Sequence, residues 1–113
     1  MNNQADIKRA QNTIAETARQ MLGGFISFIE GSRKIASLQG AANIRENDPD
    51  FDVFVVIVSE TDALPVGEIR DLWKPEALVK LQPEIDRSEI WAKSVGTPGC
   101  QRLIDRFLDE NSN

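Results

Sequence analysis

Apolar residues follow helical spacing on both sides of one continuous apolar run, residues 53–58. Before residue 40 they recur every three or four positions, and the same spacing returns after residue 75. We expect other segments to cover a run as apolar as residues 53–58. The pattern predicts an all-α protein: one compact helical bundle spanning residues 1–113, with residues 1–4 frayed.

The conformation of residues 53–58 has two interpretations. Asp48-Pro49 is typical of a helix start, because Asp accepts a bond from a backbone N–H and Pro gives up an N–H without a partner. The β-branched run itself favours a strand, which would make the fold α+β with a short strand at 53–58. No second run of strand character is present to pair with it, so the sequence favours a buried helix over residues 49–60.

The N-terminal third carries apolar residues seven positions apart, which continue through Gly23-Gly24: Ile7, Ile14, Met21, Phe28 and Ile35. This phase predicts one kinked helix or two nearly collinear helices, rather than a hairpin at the glycines. Gly24, Ser27 and Gly31 form a stripe of small residues that another helix could approach. The alternative is that the glycines only break the helix.

Proline residues divide the C-terminal half in the prediction. Pro75 marks a helix start, Pro83 a kink or break, and Thr97-Pro98 a further start. The last helix is expected to dock through one apolar face: Cys100, Leu103, Ile104, Phe107 and Leu108.

Charge is unevenly distributed over a chain whose net charge is -5. Residues 1–45 hold six basic and three acidic groups, whereas residues 46–71 hold eight acidic groups and only Arg70 as a base. Such a chain is a poor ligand for nucleic acid and a natural one for a basic protein partner. The predicted partner-binding residues are these acids with one aromatic residue: Glu46, Asp48, Asp50, Asp52, Glu60, Asp62, Glu68, Asp71 and Trp73. The alternatives are that the acids only cap helices and keep the protein soluble, and that Trp73 packs in the core.

Catalytic and metal-binding chemistry is limited by the absence of His and Tyr. Histidine-dependent triads and the usual zinc sites are excluded, and no cofactor or metal is predicted. Asp48-x-Asp50-x-Asp52 imitates a calcium loop, but Val53 replaces the required Gly and Ser59 the required Glu. An alternative remains in which Glu60, Asp62, Glu68 and Asp71 gather as a magnesium site or an acid–base pair. Cys100 is expected to be a small core residue.

Several short motifs resemble a family of small, uncharacterised bacterial cytosolic proteins. They cover most of residues 21–108: Phe28-Ile29-Glu30-Gly31-x-Arg33-x-Ile35, Asp48-Pro49-Asp50, Ser59-Glu60-Thr61-Asp62-x-Leu64-Pro65, Leu72-Trp73 and Cys100-x-x-Leu103-Ile104-x-Arg106-Phe107. This resemblance implies no catalytic residue. In size and charge the chain also resembles the immunity proteins encoded beside bacterial toxins.

The sequence therefore predicts a cytoplasmic, non-enzymatic protein-binding module, most concretely an immunity protein that neutralises a toxin domain through an acidic surface. One alternative is a small carboxylate-dependent enzyme or metal-binding regulator centred on residues 59–62, and another is a plain structural subunit of a larger bacterial assembly. No leader and no membrane-spanning run is recognised, so no membrane partner is expected.

Overall fold

The all-α prediction is confirmed by a computed structural model, which describes residues 3–107. Four α-helices are joined by loops and one 3₁₀ helix, Gly67–Leu72, and no strand is present among the described residues. The α-helices are α1 Gln4–Leu22, α2 Phe28–Leu38, α3 Pro49–Thr61 and α4 Pro75–Phe107. Of the four residues expected to be frayed, residues 1 and 2 lie outside the described residues. Asn3 caps α1 by accepting from the Asp6 N–H, and Gln4 is the first residue of the helix.

Helix α3 confirms the helical interpretation of residues 53–58, and the strand alternative is wrong. The Asp48 carboxylate accepts a hydrogen bond from the Asp50 N–H at 3.0 Å, and Pro49 occupies the first turn. At the other end, Arg33 of α2 donates to the carbonyls of Thr61 and Leu64. Both ends of α3 thus have their backbone groups satisfied by side chains, which favours helix over strand despite the β-branched residues.

Only part of the apolar run in α3 is buried, so the expectation of full coverage is wrong. Phe51, Phe54 and Ile57 point into the core, whereas Val55 and Val56 remain 42% and 49% exposed. A helix places successive residues about 100° apart, so a run of six apolar residues necessarily occupies its outward side as well.

Helices α1 and α2 form an antiparallel hairpin, which corrects the prediction of collinear helices. The Gln11 side chain, in the first half of α1, donates to the Ala42 carbonyl just beyond α2 at 3.2 Å. At the other end, a Cβ on Gly31 would collide with Met21, so the two helices touch there. The chain reverses over residues 23–27, where Gly24 adopts a φ of 81°. Left-handed backbone of this kind favours glycine.

The small-residue stripe is correspondingly divided between two roles. Gly31 lies at the close contact of α1 with α2, as a stripe of small residues would. Ser27 instead caps α2, accepting from the Glu30 N–H at 3.0 Å, and Gly24 serves the turn with open space around its Cα.

The core lies between four helices arranged in a ring, in which each helix contacts the next and α4 closes against α1. Its largest fully buried side chains include Phe51, Phe54, Ile14, Met21, Ile29, Ile35, Ile57 and Leu103. Helix α4 approaches α3 closely because it carries Gly99 there: a Cβ at this position would lie 2.8 Å from a Val53 methyl. No helix among residues 3–107 is long and apolar enough to cross a membrane.

Helix α4 runs without a break from Pro75 to Phe107, so Pro75 is a helix start as predicted but Pro83 and Thr97-Pro98 do not divide the helix. Both internal prolines are exposed. The carbonyls at positions 79 and 94, four residues before each proline, lose their helical partner, and Val79 and Ser94 are both exposed residues.

The predicted apolar face at the end of α4 is confirmed for the residues the structure describes. Cys100, Leu103 and Phe107 are buried, and Ile104 is half-buried against the core. Phe107 meets Phe51 of α3 edge to face, with ring centroids 6.5 Å apart. Leu108 lies outside the described residues.

Candidate functional site

The nine residues predicted to bind a partner lie on three segments: the loop before α3, α3 with its C-terminal end, and the 3₁₀ helix with the residue after it. Glu46 is exposed in the loop before α3, and Asp48 and Asp50 lie at the start of α3. Asp52 and Glu60 are exposed on α3 itself, and Asp62 follows its end. Glu68 and Asp71 are exposed on the 3₁₀ helix, with Trp73 directly after it. Asp48 is buried and Asp50 half-buried, so the exposed acidic surface is smaller than the nine residues suggest.

Asp48 and Asp50 are engaged by arginines from the end of α4. Arg106 donates to Asp48 at 3.0 Å and to Asp50 at 2.9 Å, and Arg102 lies 3.5 Å from the other oxygen of Asp50. The two arginines are four residues apart, so they project from the same side of the helix. The four-residue spacing of the two arginines is visible in the sequence, but the arginines lie more than fifty residues after the acids that they bind.

The environment of Asp48 is that of a structural carboxylate. The hydrogen bond from Arg106 lowers the pKa of Asp48 below its ordinary value of 3.8, burial opposes this, and the Asp50 N–H adds to the lowering. The same pair raises the pKa of the Arg106 guanidinium. Because only 9% of the Asp48 side chain is exposed, this charge joins α3 to α4 and is not available to a partner.

The outward side of α3 carries acidic and apolar residues together. Asp52 and Glu60 lie on either side of the exposed Val55 and Val56, at spacings that place the four on one side of the helix. Within residues 3–107, Asp52, Glu60 and Asp62 form no ion pair, and α3 itself contains no Lys or Arg. We call these five residues the α3 face: Asp52, Val55, Val56, Glu60 and Asp62.

An aromatic residue lies beside the α3 face, and it is Trp91 of α4, which sequence reasoning missed. Trp91 and Glu60 line the same open cavity of about 320 Å³, together with Arg87 and Ser88. Trp91 is one of the exposed large hydrophobic residues. Trp73, which the sequence favoured as an aromatic anchor, is also exposed rather than packed in the core, but it lies beyond the 3₁₀ helix.

The geometry lends no support to the alternative of a carboxylate-dependent or metal-binding site. Among residues 3–107, no three His, Cys, Asp or Glu side chains lie close enough together to hold a metal ion. Glu60 and Asp62 are at the end of α3, whereas Glu68 and Asp71 are on the 3₁₀ helix. This alternative stays a prediction.

Two other polar features have structural explanations. A cavity of about 530 Å³ at the α1–α2 turn contains Glu89, but this carboxylate accepts from the Phe28 and Ile29 N–H groups at 2.7 and 3.1 Å. Glu89 thus satisfies the start of α2 from α4. Cys100 is buried, with Met21 Sδ 3.8 Å from its Sγ, and burial raises the pKa of the thiol to about 12. The expectation that Cys100 is a core residue is confirmed.

Comparison of the chain with known protein families, with curated proteins and with solved structures finds no match. The resemblance to a bacterial family and to immunity proteins stays a prediction from the sequence.

Proposed function

We propose that this protein is a non-enzymatic binding module and that its α3 face binds a basic protein partner. The observation that supports this most directly is the exposure of Val55 and Val56 between Asp52 and Glu60. Apolar residues surrounded by charged ones are the usual anatomy of a protein interface, with a dry centre and a polar rim. An isolated exposed valine would need no explanation, but two adjacent ones on a helix with three acids around them do.

Electrostatics favour a basic partner for this surface. Asp52, Glu60 and Asp62 form no ion pair among the described residues, and Arg87 is the base that lines the same cavity as Glu60. The three acids outnumber this base, so the face attracts positive charge from solution. Asp48 and Asp50 do not belong to the interface, since Arg102 and Arg106 already hold them. The proposed surface is therefore smaller than the one predicted from sequence, and it includes apolar contacts and Trp91, which the prediction lacked.

An immunity protein is the concrete case that suits these properties. Toxin domains that act on nucleic acid need basic clefts to hold the phosphate backbone. An acidic, apolar-centred helix face could cover such a cleft, and opposite charges would speed the encounter. Trp91, next to Glu60, provides an aromatic residue of the kind that often contributes most to binding energy.

The test is a titration of variants against the protein that a pull-down from the native host returns, or against the product of the neighbouring gene. Glu60→Lys with Asp62→Lys reverses two acids at the C-terminal end of α3, where the helix dipole tolerates lysine. We expect weaker binding, with slower association, and an unchanged fold. Asp86→Lys with Asp105→Lys makes the same change in net charge on α4 and should leave binding nearly unchanged.

A second variant tests the apolar centre of the surface. Val55→Ala with Val56→Ala removes exposed methyl groups, and alanine favours the helix more than valine does. We expect lost affinity without lost helicity. If both the charge reversal and the alanine pair bind as tightly as the wild-type protein, the α3 face is not the interface.

A further inference from the structure

Residues 66–84 comprise the 3₁₀ helix and the first turns of α4, and we call this segment the arm. None of these residues is buried, and the first buried position on α4 is Ile85. The 3₁₀ helix lies alongside α4, where Arg70 donates to the Gln82 side chain at 3.2 Å. The two helical segments therefore support each other. The arm meets the bundle on one side, where Val66 and Leu81 pack against the core and a Cβ on Gly67 would lie 2.8 Å from the Glu30 carboxylate of α2.

The arm nevertheless carries the apolar pattern of a buried helix pair. Leu78, Leu81 and Ile85 lie on one side of α4, where Ile85 is buried, Leu81 is half-buried against the core and Leu78 is half-buried. Leu72 and Val79 are 83% and 73% exposed, and Ile69 and Trp73 add further exposed apolar surface. A monomer rarely leaves so many large apolar residues exposed on so short a segment unless something covers them.

Charges along the arm indicate what kind of molecule covers its apolar residues. Four acids alternate with three bases on these residues: Glu68, Arg70, Asp71, Lys74, Glu76, Lys80 and Glu84. A strongly basic partner would meet Arg70, Lys74 and Lys80, and a strongly acidic partner would meet the four carboxylates. A second copy of the arm offers both signs and the same apolar stripe, so it can pair acid with base across a twofold axis.

We infer that the arm is a homodimer interface, in which the arms of two copies pack their apolar sides together. Each arm supplies one α-helical and one 3₁₀ segment, so the pair forms a small four-segment bundle that buries Leu72 and Val79. A symmetric contact of this kind is self-complementary: each residue meets in the partner copy the surface that it itself presents. The inference concerns a surface apart from the α3 face, so it stands or falls independently of the proposed function.

The first experiment measures the mass of the purified full chain in solution, by light scattering and sedimentation, over protein concentrations up to about 1 mM. The wild-type protein should dimerise as concentration rises. Leu72→Glu with Val79→Glu should weaken dimerisation by about tenfold or more, because it places charge in the centre of the interface. Val55→Glu with Val56→Glu makes the same substitutions on the α3 face and should leave the dimer intact. Circular dichroism of each variant should match the wild-type spectrum.

A charge exchange tests whether arm meets arm. Lys74→Glu with Lys80→Glu makes one acidic arm, and Asp71→Lys with Glu84→Lys makes one basic arm. Each variant alone should dimerise more weakly than wild type, and an equimolar mixture should form a heterodimer. A wild-type protein that stays monomeric up to about 1 mM overturns the inference. So does a dimer that survives Leu72→Glu with Val79→Glu, or a mixture that fails to associate.

Discussion

Helix α4 passes through two different environments, and the difference shows what the fold needs from its neighbours. From Ile85 to Phe107 it packs in the body of the bundle, where Ala92, Cys100 and Leu103 are fully buried. From Pro75 to residue 84 it belongs to the arm, where no residue is buried. Both parts have helical apolar spacing, so spacing alone does not reveal whether another helix lies opposite.

A pair of leucines offers the largest contrast between body and arm. Leu103→Ala empties a fully buried site and should lower the free energy of unfolding by about 2–5 kcal/mol. Leu72→Ala, at 83% exposure, should change it by less than about 0.5 kcal/mol. The measurement is urea unfolding of dilute protein, where the proposed dimer contributes little. Similar losses for both variants would show that the arm is packed as tightly as the body.

Substitutions to valine should give a smaller difference in the free energy of unfolding between the two parts of α4. Gly99→Val forces side-chain atoms against Val53 and Phe54, whose nearest atoms would lie only 2.8 and 3.0 Å from a Cβ at this position. We expect a loss of about 1–3 kcal/mol from this overpacking. Ala77→Val in the arm should cost only about 0.5 kcal/mol through lower helix propensity. Thermal melting of both variants is the check, and equal melting temperatures would contradict the close approach of α3 to α4.

The ion pair at Asp48 predicts a pH effect in the body that the arm lacks. Arg106 lowers the pKa of Asp48 in the folded protein, so the pair stabilises the fold above the ordinary pKa of 3.8. That stability is lost as pH falls below 3.8 through the lower pKa of the folded state. Asp48→Asn keeps a capping side chain but loses the charge, and it should cost about 1 kcal/mol at pH 7.

Unfolding measured between about pH 4 and pH 2 should accordingly depend less on pH in Asp48→Asn than in the wild-type protein. The matched change in the arm is Glu76→Gln, a carboxylate in the first turn of α4. This substitution should lower the free energy of unfolding by only about 0.3 kcal/mol, because it removes the weak interaction of an exposed carboxylate with the helix dipole. An identical pH dependence in Asp48→Asn and the wild type would mean that the arginine pair contributes nothing to stability.

Thiol reactivity compares the body with the arm while changing the protein least. Cys100 is buried and its pKa is raised to about 12, so an alkylating reagent should modify it only when the body unfolds. Val79→Cys adds a thiol at an exposed position of the arm and should react at once in dilute native protein. Mass spectrometry after timed alkylation distinguishes the two sites. Rapid modification of Cys100 in the wild-type protein would show that the body opens far more often than its burial implies.

Local signals in the sequence predicted much of the fold, because they act over a few residues. Asp48-Pro49 marked the start of α3, and Pro75 marked the start of α4. The α1–α2 hairpin was missed since Met21 and Phe28 both face the core while the chain reverses between them. The seven-residue spacing continues across the turn only because the turn happens to place Met21 and Phe28 seven residues apart. A break at Pro83 and a new helix start at Thr97-Pro98 are wrong because a proline on the exposed side of a long helix is tolerated when the rest of the helix is anchored. The kink that the sequence offered as the other outcome at Pro83 stays a prediction.

The candidate site was less predictable because it depends on contacts between distant segments. Arg102 and Arg106 remove Asp48 and Asp50 from the acidic surface, and no local pattern around the acids indicates this. Trp91 lines the same cavity as Glu60 only because α4 packs beside α3. The exposure of Val55 and Val56 follows from which side of α3 meets its neighbours, which charge and hydrophobicity along the chain do not specify.

The contact of α1 with α4 has a consequence for how the chain is made. These helices lie at opposite ends of the sequence, and α1 packs against α4 more extensively than against α2. On the ribosome, α1 therefore emerges long before the helix that covers it, with Ile14, Ala18 and Met21 open to water or to a chaperone. The α1–α2 hairpin can form early, but the core is completed only when translation has released the last turns of α4.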